Sequence, residues 1–310
     1  MLRLDVVPGN EHNVAHATDG LWTLLDHLGP DRCTALLRGD KAWGIQSVMA
    51  RAEQSKLPYL FRPCMTANVK RALKRAMRHS DWRDAGQGWQ GKETELRLHS
   101  GSRQRRIVLL RRKLRRDLAI TGQTTAAQLR LTFAEVGPGL EAWQYAALVT
   151  SLDDEVLTLG QLHRDRADCE DAFDELKNQW GWGGFTTGDM KRCRLTAGMV
   201  ALIQNWWSLF VRLADPEYHR EAITSRPLLL SAIARRTQHA GQVTLTISSS
   251  HGKRDKARQA YIRIDGFLGE LRKTAEQLDC LERWYRILSE ALQFFLKGRQ
   301  LRPPRRLEPA

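Results

Sequence analysis

QLHRDRADCEDAFDELKNQWGWGGF, residues 161–185, has the spacing of a helix that buries one face and ends at a run of glycines. At about 100° per residue, one narrow stripe of this helix is apolar and consists of Leu162, Cys169, Phe173, Leu176 and Trp180. An adjoining stripe consists of His163, Arg166, Glu170 and Lys177. The far side carries Asp168, Asp171 and Glu175, which we expect to be exposed to water.

The row of charges beside the apolar stripe has two interpretations. Arg166 and Glu170 are an i,i+4 pair, and such pairs decorate many helix surfaces at a gain of only a few tenths of a kcal/mol. Alternatively, the Glu170 carboxylate binds a metal ion while the neighbouring cations bind phosphate. Spacing alone leaves both interpretations open.

The order and gaps of these residues carry a resemblance. His163-x2-Arg166-x3-Glu170-x6-Lys177 resembles the Tyr-x2-Arg-x3-Glu-x6-Lys signature of bacterial insertion-sequence DDE transposases. The run NQWGWGGF, residues 178–185, is similar to the segment that follows this signature in one branch of the family. His163 stands where the family usually has Tyr, and both side chains can donate a hydrogen bond to phosphate.

Composition points to a polyanionic partner. The 310 residues carry a formal net charge of +14, with a pI of about 10.0. This favours nucleic acid first, with a ribosome or an anionic membrane surface as the alternatives. Five cysteines without a CxxC pair give no support for a zinc knuckle and favour a reducing cytoplasm. The most apolar run, residues 197–211, is too short to span a bilayer.

The first 62 residues alternate between strand and helix patterns. We predict strands at residues 1–8, 33–38 and 58–62, with helices at 13–28 and 43–56, which indicates an α/β layer. Asp40 follows the second strand, where α/β sheets bind ligands. A turn-forming Gly-Asp pair with a solvated side chain explains the same residues.

The run LRGDKAWG, residues 37–44, resembles the family's second catalytic aspartate and its surroundings, although Lys41 and Trp43 depart from the usual pattern. The resemblance implies that Asp40 is the second metal ligand and Glu170 the third. The family's first aspartate precedes them on the first strand, and Asp5, Asp19 and Asp26 do not match it. We therefore expect a truncated copy that lacks two strands, exposes a sheet edge and is a poor or inactive catalyst alone.

Basic residues concentrate in two places. Residues 66–80 form a predicted basic helix, and residues 82–140 alternate like an antiparallel β unit, in the interval where related transposases carry a β-rich insertion. Both are expected to contact the DNA backbone, although solvated surfaces kept soluble by cations explain them too. The candidate contacts are Lys70, Arg71, Lys74, Arg75, Arg111, Arg112 and Lys113.

Together these features predict an α/β protein with an RNase H-like core that lacks its first two strands, a β-rich insertion and a helical C-terminal region. We divide it into residues 1–81 (core), 82–142 (basic insertion), 143–235 (core with the Glu170 helix) and 236–310 (helical region). The resemblance implies cleavage and strand transfer of double-stranded DNA at element ends, with two Mg²⁺ or Mn²⁺ ions held by Asp40 and Glu170.

His163, Arg166 and Lys177 would then contact DNA phosphates near the cleaved end. The resemblance also implies a homo-oligomer on DNA in the bacterial cytoplasm, associated with the nucleoid, with no membrane partner and no small-molecule cofactor. The alternatives are a non-catalytic DNA-binding fragment that interferes with an intact transposase, and an RNA-associated basic protein.

Overall fold

The computed structural model describes residues 2–8, 13–29, 34–98, 103–113, 133–136, 142–165, 167–217, 220–230, 234–247, 252–274 and 276–301. The chain divides into two units. The first is Val7–Glu170, and the second joins Met1–Val6 to Asp171–Ala310. Residues 2–8 form neither a strand nor a helix, so the predicted strand at residues 1–8 is wrong over the part that is described.

The first unit begins with alternating helices and strands, as predicted. They are α1 (Asn13–Leu28), β1 (Leu37–Gly44), α2 (Gln46–Gln54), β2 (Tyr59–Pro63) and α3 (Ala67–Met77). Five strands follow, β3 (Arg83–Gly86), β4 (Trp89–Arg97), β5 (Gln104–Lys113), β6 (Phe133–Val136) and β7 (Ala142–Thr150). Helix α4 (Val156–Arg164) comes next, and α5 (Ala167–Asn178) crosses the division between the units.

All these strands join one sheet in the order β1-β2-β7-β5-β4-β3, with β6 also paired to β7. The β1–β2 pair is parallel, and the other pairs are antiparallel. The β-rich segment therefore shares a sheet with β1 and β2, because β5 pairs with β7 over eight residues and β7 pairs with β2; its identity as an insertion stays a prediction. Among the described strands, β1 stands at one end of this order with β2 as its neighbour, and the edge expected from missing strands stays a prediction.

The sheet is buried on both faces. Tyr59, Phe61, Ile107 and Leu109 pack against α1, α2 and α3 on one face. Side chains that alternate with them along the strands pack against α4 on the other face. This second layer contains Leu60, Val108, Leu110, Leu148, Val156 and Leu159. The result is a three-layered α/β arrangement.

The second unit is mainly helical. It contains α6 (Met190–Ala214), α7 (Ala222–Leu229), α8 (Arg254–Lys273), α9 (Cys280–Ala291) and α10 (Gln293–Leu296), with a hairpin of β8 (Ala234–His239) and β9 (Gln242–Ile247). The mostly apolar residues 189–213 predict a long helix, and the alternation in residues 242–248 indicates a strand; α6 and β9 confirm both. The amphipathic spacing of residues 268–296 predicts a single helix, which is wrong, because α8 ends at Lys273 and the Asp279 and Glu282 capping box starts α9.

A small apolar core holds this unit together, and it includes Val211, Leu228, Leu229, Ala257, Ile264 and Ala291. Across the described ranges of the chain, we find no helix long and apolar enough to cross a membrane.

Candidate active site

Strand β1 carries Asp40 at a point where the sheet becomes irregular. Regular parallel pairing with β2 ends at Gly39, opposite Phe61, and resumes with a changed register at Gly44. The side chain of Trp43 folds back over Gly39, and a Cβ at Gly39 would lie 2.6 Å from the Trp43 Cβ. Such a local irregularity interrupts the hydrogen-bond ladder between the strands and changes the direction of the side chains that follow. Asp40 is exposed there.

The Asp40 carboxylate has one internal partner. Its Oδ1 accepts a hydrogen bond from the Ala42 N–H at 3.0 Å. Within the described part of the chain, no other hydrogen bond or ion pair reaches Asp40. One oxygen therefore fixes the local turn, and the other has no partner among the described residues, so it is available as a hard ligand for a divalent cation.

A residue that the sequence argument missed links β1 to α4. Arg38 lies two positions before Asp40, on the same face of the strand. Its Nη1 donates a hydrogen bond of 2.6 Å to the carbonyl oxygen of Leu162, in the last turn of α4. The positive guanidinium thus meets helix-end carbonyls, where a cation is favoured. His163, the first residue of the signature, follows Leu162 and is half-buried.

The helix predicted across the signature is interrupted, so the expectation of one continuous helix is wrong. Helix α4 ends at Arg164 and α5 begins at Ala167. The Leu162 carbonyl oxygen, in the last turn of α4, accepts the hydrogen bond from Arg38 close to this interruption. His163 and Lys177 consequently belong to different helices and cannot share one helical stripe.

The structure describes the remaining signature residues to different extents. Arg166 lies outside the described residues. Glu170 lies within α5, and its side chain is outside the described set. Lys177 is exposed in the last turn of α5 and belongs to the second unit. The structure therefore joins the Asp40 strand to the His163 turn in the first unit, and the roles of the four signature residues stay predictions.

Glu175 was expected to face water and is in fact 3% exposed. Within the second unit, its Oε1 accepts from the Ala222 N–H at 3.0 Å and from the Trp180 Nε1–H at 3.2 Å. Ala222 is the first residue of α7, whose free N–H groups and dipole favour a carboxylate. Glu175 is an anchor between α5 and α7, and helical spacing gives no signal of a second packed side.

The predicted basic helix is confirmed as α3, and it borders a groove of about 590 Å³. Asn68 Nδ2 donates to the Arg97 carbonyl oxygen at 3.2 Å, which fixes α3 beside the end of β4. The charged side chains that line the groove are all cations, namely Arg71, Lys74, Arg75, Arg78 and Arg97. Lys70 lies exposed on the same helix. A surface of this kind suits phosphate groups.

The arginines of β5 are more engaged with the protein. Arg111 lies between two indole rings, 4.3 Å from the Trp82 centroid and 4.7 Å from that of Trp143, and burial lowers the pKa of its guanidinium. Arg112 lies 4.9 Å from the Trp89 ring and bonds to Gln144. These contacts favour packing as at least part of the role of both residues. Lys113 is exposed at the end of β5, and DNA contact by all three stays a prediction.

Two further arginines of β5 form hydrogen bonds that connect the sheet to neighbouring elements of the first unit. Arg105 is 4% exposed and bonds to Glu53 and Gln46 of α2. Arg106 bonds to Glu93 and to the carbonyl oxygens of Leu152 and Asp154, in the turn that leads into α4.

The fit of a divalent metal can be judged from the donors present. Asp40 offers an exposed oxygen of the type that Mg²⁺ and Mn²⁺ prefer. Among the residues that the structure describes, no group of three or more His, Cys, Asp or Glu side chains could hold a metal ion. Asp40 therefore has the donor chemistry of a metal ligand, and its role as one stays a prediction.

Comparison with known proteins agrees with this chemistry. The family model of the transposase DDE domain matches residues 1–206. This range includes the Asp40 strand, the α3 groove, the whole sheet of the first unit and all four signature residues. No curated protein matches the chain.

Proposed function

This chain belongs to the transposase DDE domain family, and on that premise we propose that it is an insertion-sequence transposase that cleaves and joins double-stranded DNA at element ends. The family match carries the proposal. Members of this family have an RNase H-like α/β fold, use divalent metal ions and transfer phosphoryl groups of nucleic acids. The mixed α/β sheet of the first unit agrees with that fold.

We propose Asp40 and Glu170 as the metal-binding carboxylates. Two divalent ions, when bound, would supply an activated attacking oxygen and charge stabilisation of the leaving oxygen. The protein's own part is to present the free Asp40 oxygen and to hold the end of α4 against β1 through Arg38. His163, Arg166 and Lys177 would position the scissile phosphate. Arg166 and Lys177 would do so as permanent cations, and His163 as a hydrogen-bond donor.

The α3 groove is the proposed path of the DNA backbone. Five cations line it without a carboxylate among the lining side chains, so phosphates meet no opposing charge there. Lys70, Arg71, Lys74 and Arg75 are exposed and able to reach a bound strand. Each phosphate neutralised in this way releases counterions, which makes the affinity strongly dependent on salt.

A second candidate function is non-catalytic DNA binding that interferes with an intact transposase. It is favoured by the described aspartates that precede Asp40. Asp5 pairs with Arg3 outside any strand, and Asp19 and Asp26 lie on helix α1. None of these three aspartates is on the sheet, where the family's first catalytic aspartate belongs. This second function predicts that the chain alone has little or no nuclease activity.

Nicking of a labelled DNA duplex in Mn²⁺ distinguishes the two functions. If the chain is catalytic, Asp40→Asn and Glu170→Gln abolish nicking while DNA affinity stays within about twofold, since neither change removes a cation. Glu95→Gln is the matched control, because Glu95 is an exposed acid of β4.

If wild type binds duplex DNA but never nicks it, catalysis by this chain is wrong. The interference function then predicts reduced transposition by an intact copy when both are expressed together. A preference for structured RNA over duplex DNA would contradict both functions and favour an RNA-associated protein.

A further inference from the structure

The hairpin of β8 and β9 belongs to the second unit. Its two strands form a sheet of their own, and six residue pairs run from Ala234 opposite Ile247 to His239 opposite Gln242. Ala240 and Gly241 close it with φ angles of 48° and 79°, the left-handed values of a tight two-residue turn. An isolated two-stranded hairpin is marginally stable in water, so this one is well placed to serve as a contact element.

One face of this ribbon is polar throughout. The pairing places Arg235 opposite Thr246, Thr237 opposite Thr244, and His239 opposite Gln242. Because alternate residues of a strand share a face, these six side chains lie on the same side. We call them the reading face: Arg235, Thr237, His239, Gln242, Thr244 and Thr246. All six are exposed.

The reading face has no internal use in the described part of the chain. No side chain of its six residues forms a hydrogen bond or ion pair with another described residue. On the opposite face, by contrast, Arg236 donates to Gln238 at 3.3 Å. Residues 234–247 contain no Asp or Glu, so nothing in the ribbon repels an anion.

We infer that this ribbon enters the major groove of duplex DNA and that the reading face contacts base edges. The major groove is about 12 Å wide and admits a two-stranded β-ribbon. Arg bonds well to guanine, Gln to adenine, and Thr offers both a hydroxyl and a methyl group for thymine. Phosphate binding needs only charge, whereas this face combines one arginine with five neutral or titratable hydrogen-bonding side chains.

The inference rests on the proposed function, since it assumes that duplex DNA is the substrate. It goes further by assigning base recognition to a ribbon in residues 234–247, which lie beyond the residues 1–206 that match the family. The metal-binding carboxylates and the α3 groove lie in the first unit, so backbone binding and base reading fall on different units.

The test uses the full chain and a library of random duplexes, from which bound DNA is selected and sequenced. We expect wild type to select a consensus. Arg235→Ala should relax the preference at one or two base pairs by roughly 5- to 100-fold, the range that one arginine–guanine contact supplies. Arg236→Ala is the matched control, with the same charge change on the opposite face, and should keep the consensus. Methylation of guanine N7, which lies in the major groove, should abolish binding at the affected position.

Several outcomes would overturn the inference. If wild type binds duplex DNA without any consensus, or if both arginine variants lose affinity equally with the consensus kept, the ribbon does not read bases and the proposed function stands. If wild type fails to bind duplex DNA, the proposed function fails as well. If Arg235→Ala changes the oligomeric mass by light scattering and leaves the consensus intact, the reading face is instead a contact between copies.

Discussion

Replacing Arg105 with Met is expected to destabilise the first unit strongly without weakening DNA binding. The Arg105 side chain is 2% exposed and the Glu53 side chain 18%. Arg105 donates to both Glu53 oxygens, at 2.8 and 3.2 Å, and to Gln46 at 2.7 Å. The Tyr59 hydroxyl donates to the same carboxylate at 2.8 Å. Methionine fills similar space but leaves the largely buried Glu53 carboxylate without the two hydrogen bonds from its most buried partner.

The magnitude follows from that burial. Removing one partner of a buried ion pair typically costs about 3–5 kcal/mol, because an uncompensated charge is left behind. Burial alone would raise the pKa of Glu53, but the hydrogen bonds from Arg105 and Tyr59 hold it below its ordinary value. The pair therefore stabilises the protein above the unfolded pKa of about 4.3, and that stability is lost as the pH falls through the folded pKa. Arg105→Met removes the largest of the contributions that lower the pKa of Glu53, so this pKa should rise and the deficit should shrink as the pH falls from 7 to 4.

Urea unfolding at pH 7 and pH 4 measures both quantities. Arg103→Met is the matched control, because Arg103 is 66% exposed and 3.4 Å from the same carboxylate, and we expect it to cost less than about 1 kcal/mol. The double variant Arg105→Met with Glu53→Met should recover most of the loss. A cost for Arg105→Met no larger than that of Arg103→Met, or a deficit that grows as the pH falls, would refute this reasoning.

Two further predictions concern the site and the groove. Arg38→Ala should accelerate amide hydrogen exchange in the last turn of α4 by roughly 10- to 100-fold, because a charge-assisted hydrogen bond contributes about 1.5–3 kcal/mol. Amides of β5 should stay protected. Unchanged exchange in the last turn of α4 would contradict the proposed connection between Arg38 and this helix. Lys74→Gln and Arg75→Gln should each reduce the slope of log affinity for duplex DNA against log salt concentration by about one. Lys56→Gln should leave this slope unchanged, because Lys56 is an exposed cation after α2 and outside the groove. Equal effects of all three substitutions would show that the groove is not a specific path for DNA.

Local sequence signals predicted the β1–α2–β2–α3 order well, because each element there is short, periodic and bounded by turn residues. They did not predict that β5 and β7 complete the same sheet. The pairing of β5 with β7 joins residues about 40 positions apart, such as Arg106 with Thr150, and alternation within a strand says nothing about its neighbour. Both strands contain continuous apolar runs and are buried on both faces of the sheet. Such runs in the sequence indicate strands at the centre of a sheet.

The errors around the signature have a related cause. Neither proline nor glycine marks the break between α4 and α5, so a 3.6-residue period continues across it. A distant arginine, Arg38, donates to a carbonyl oxygen in the last turn of α4, and a contact between residues so far apart in sequence cannot be predicted from a local stretch. The exposure of Glu175 was predicted wrongly because helical spacing assumes one buried side of a helix, whereas the start of α7 covers a second side of α5.

Asp40 shows how the two interpretations left open by the sequence can both hold. A turn-forming aspartate needs one side-chain oxygen for the N–H two residues on, and Oδ1 makes that bond to Ala42. A metal ligand needs an exposed oxygen held in a fixed orientation, and the turn bond orients the second oxygen of the same carboxylate. Gly39 permits this arrangement, because a side chain at position 39 would collide with the Trp43 side chain. The local turn and the proposed catalytic role are thus properties of one carboxylate, each using a different oxygen.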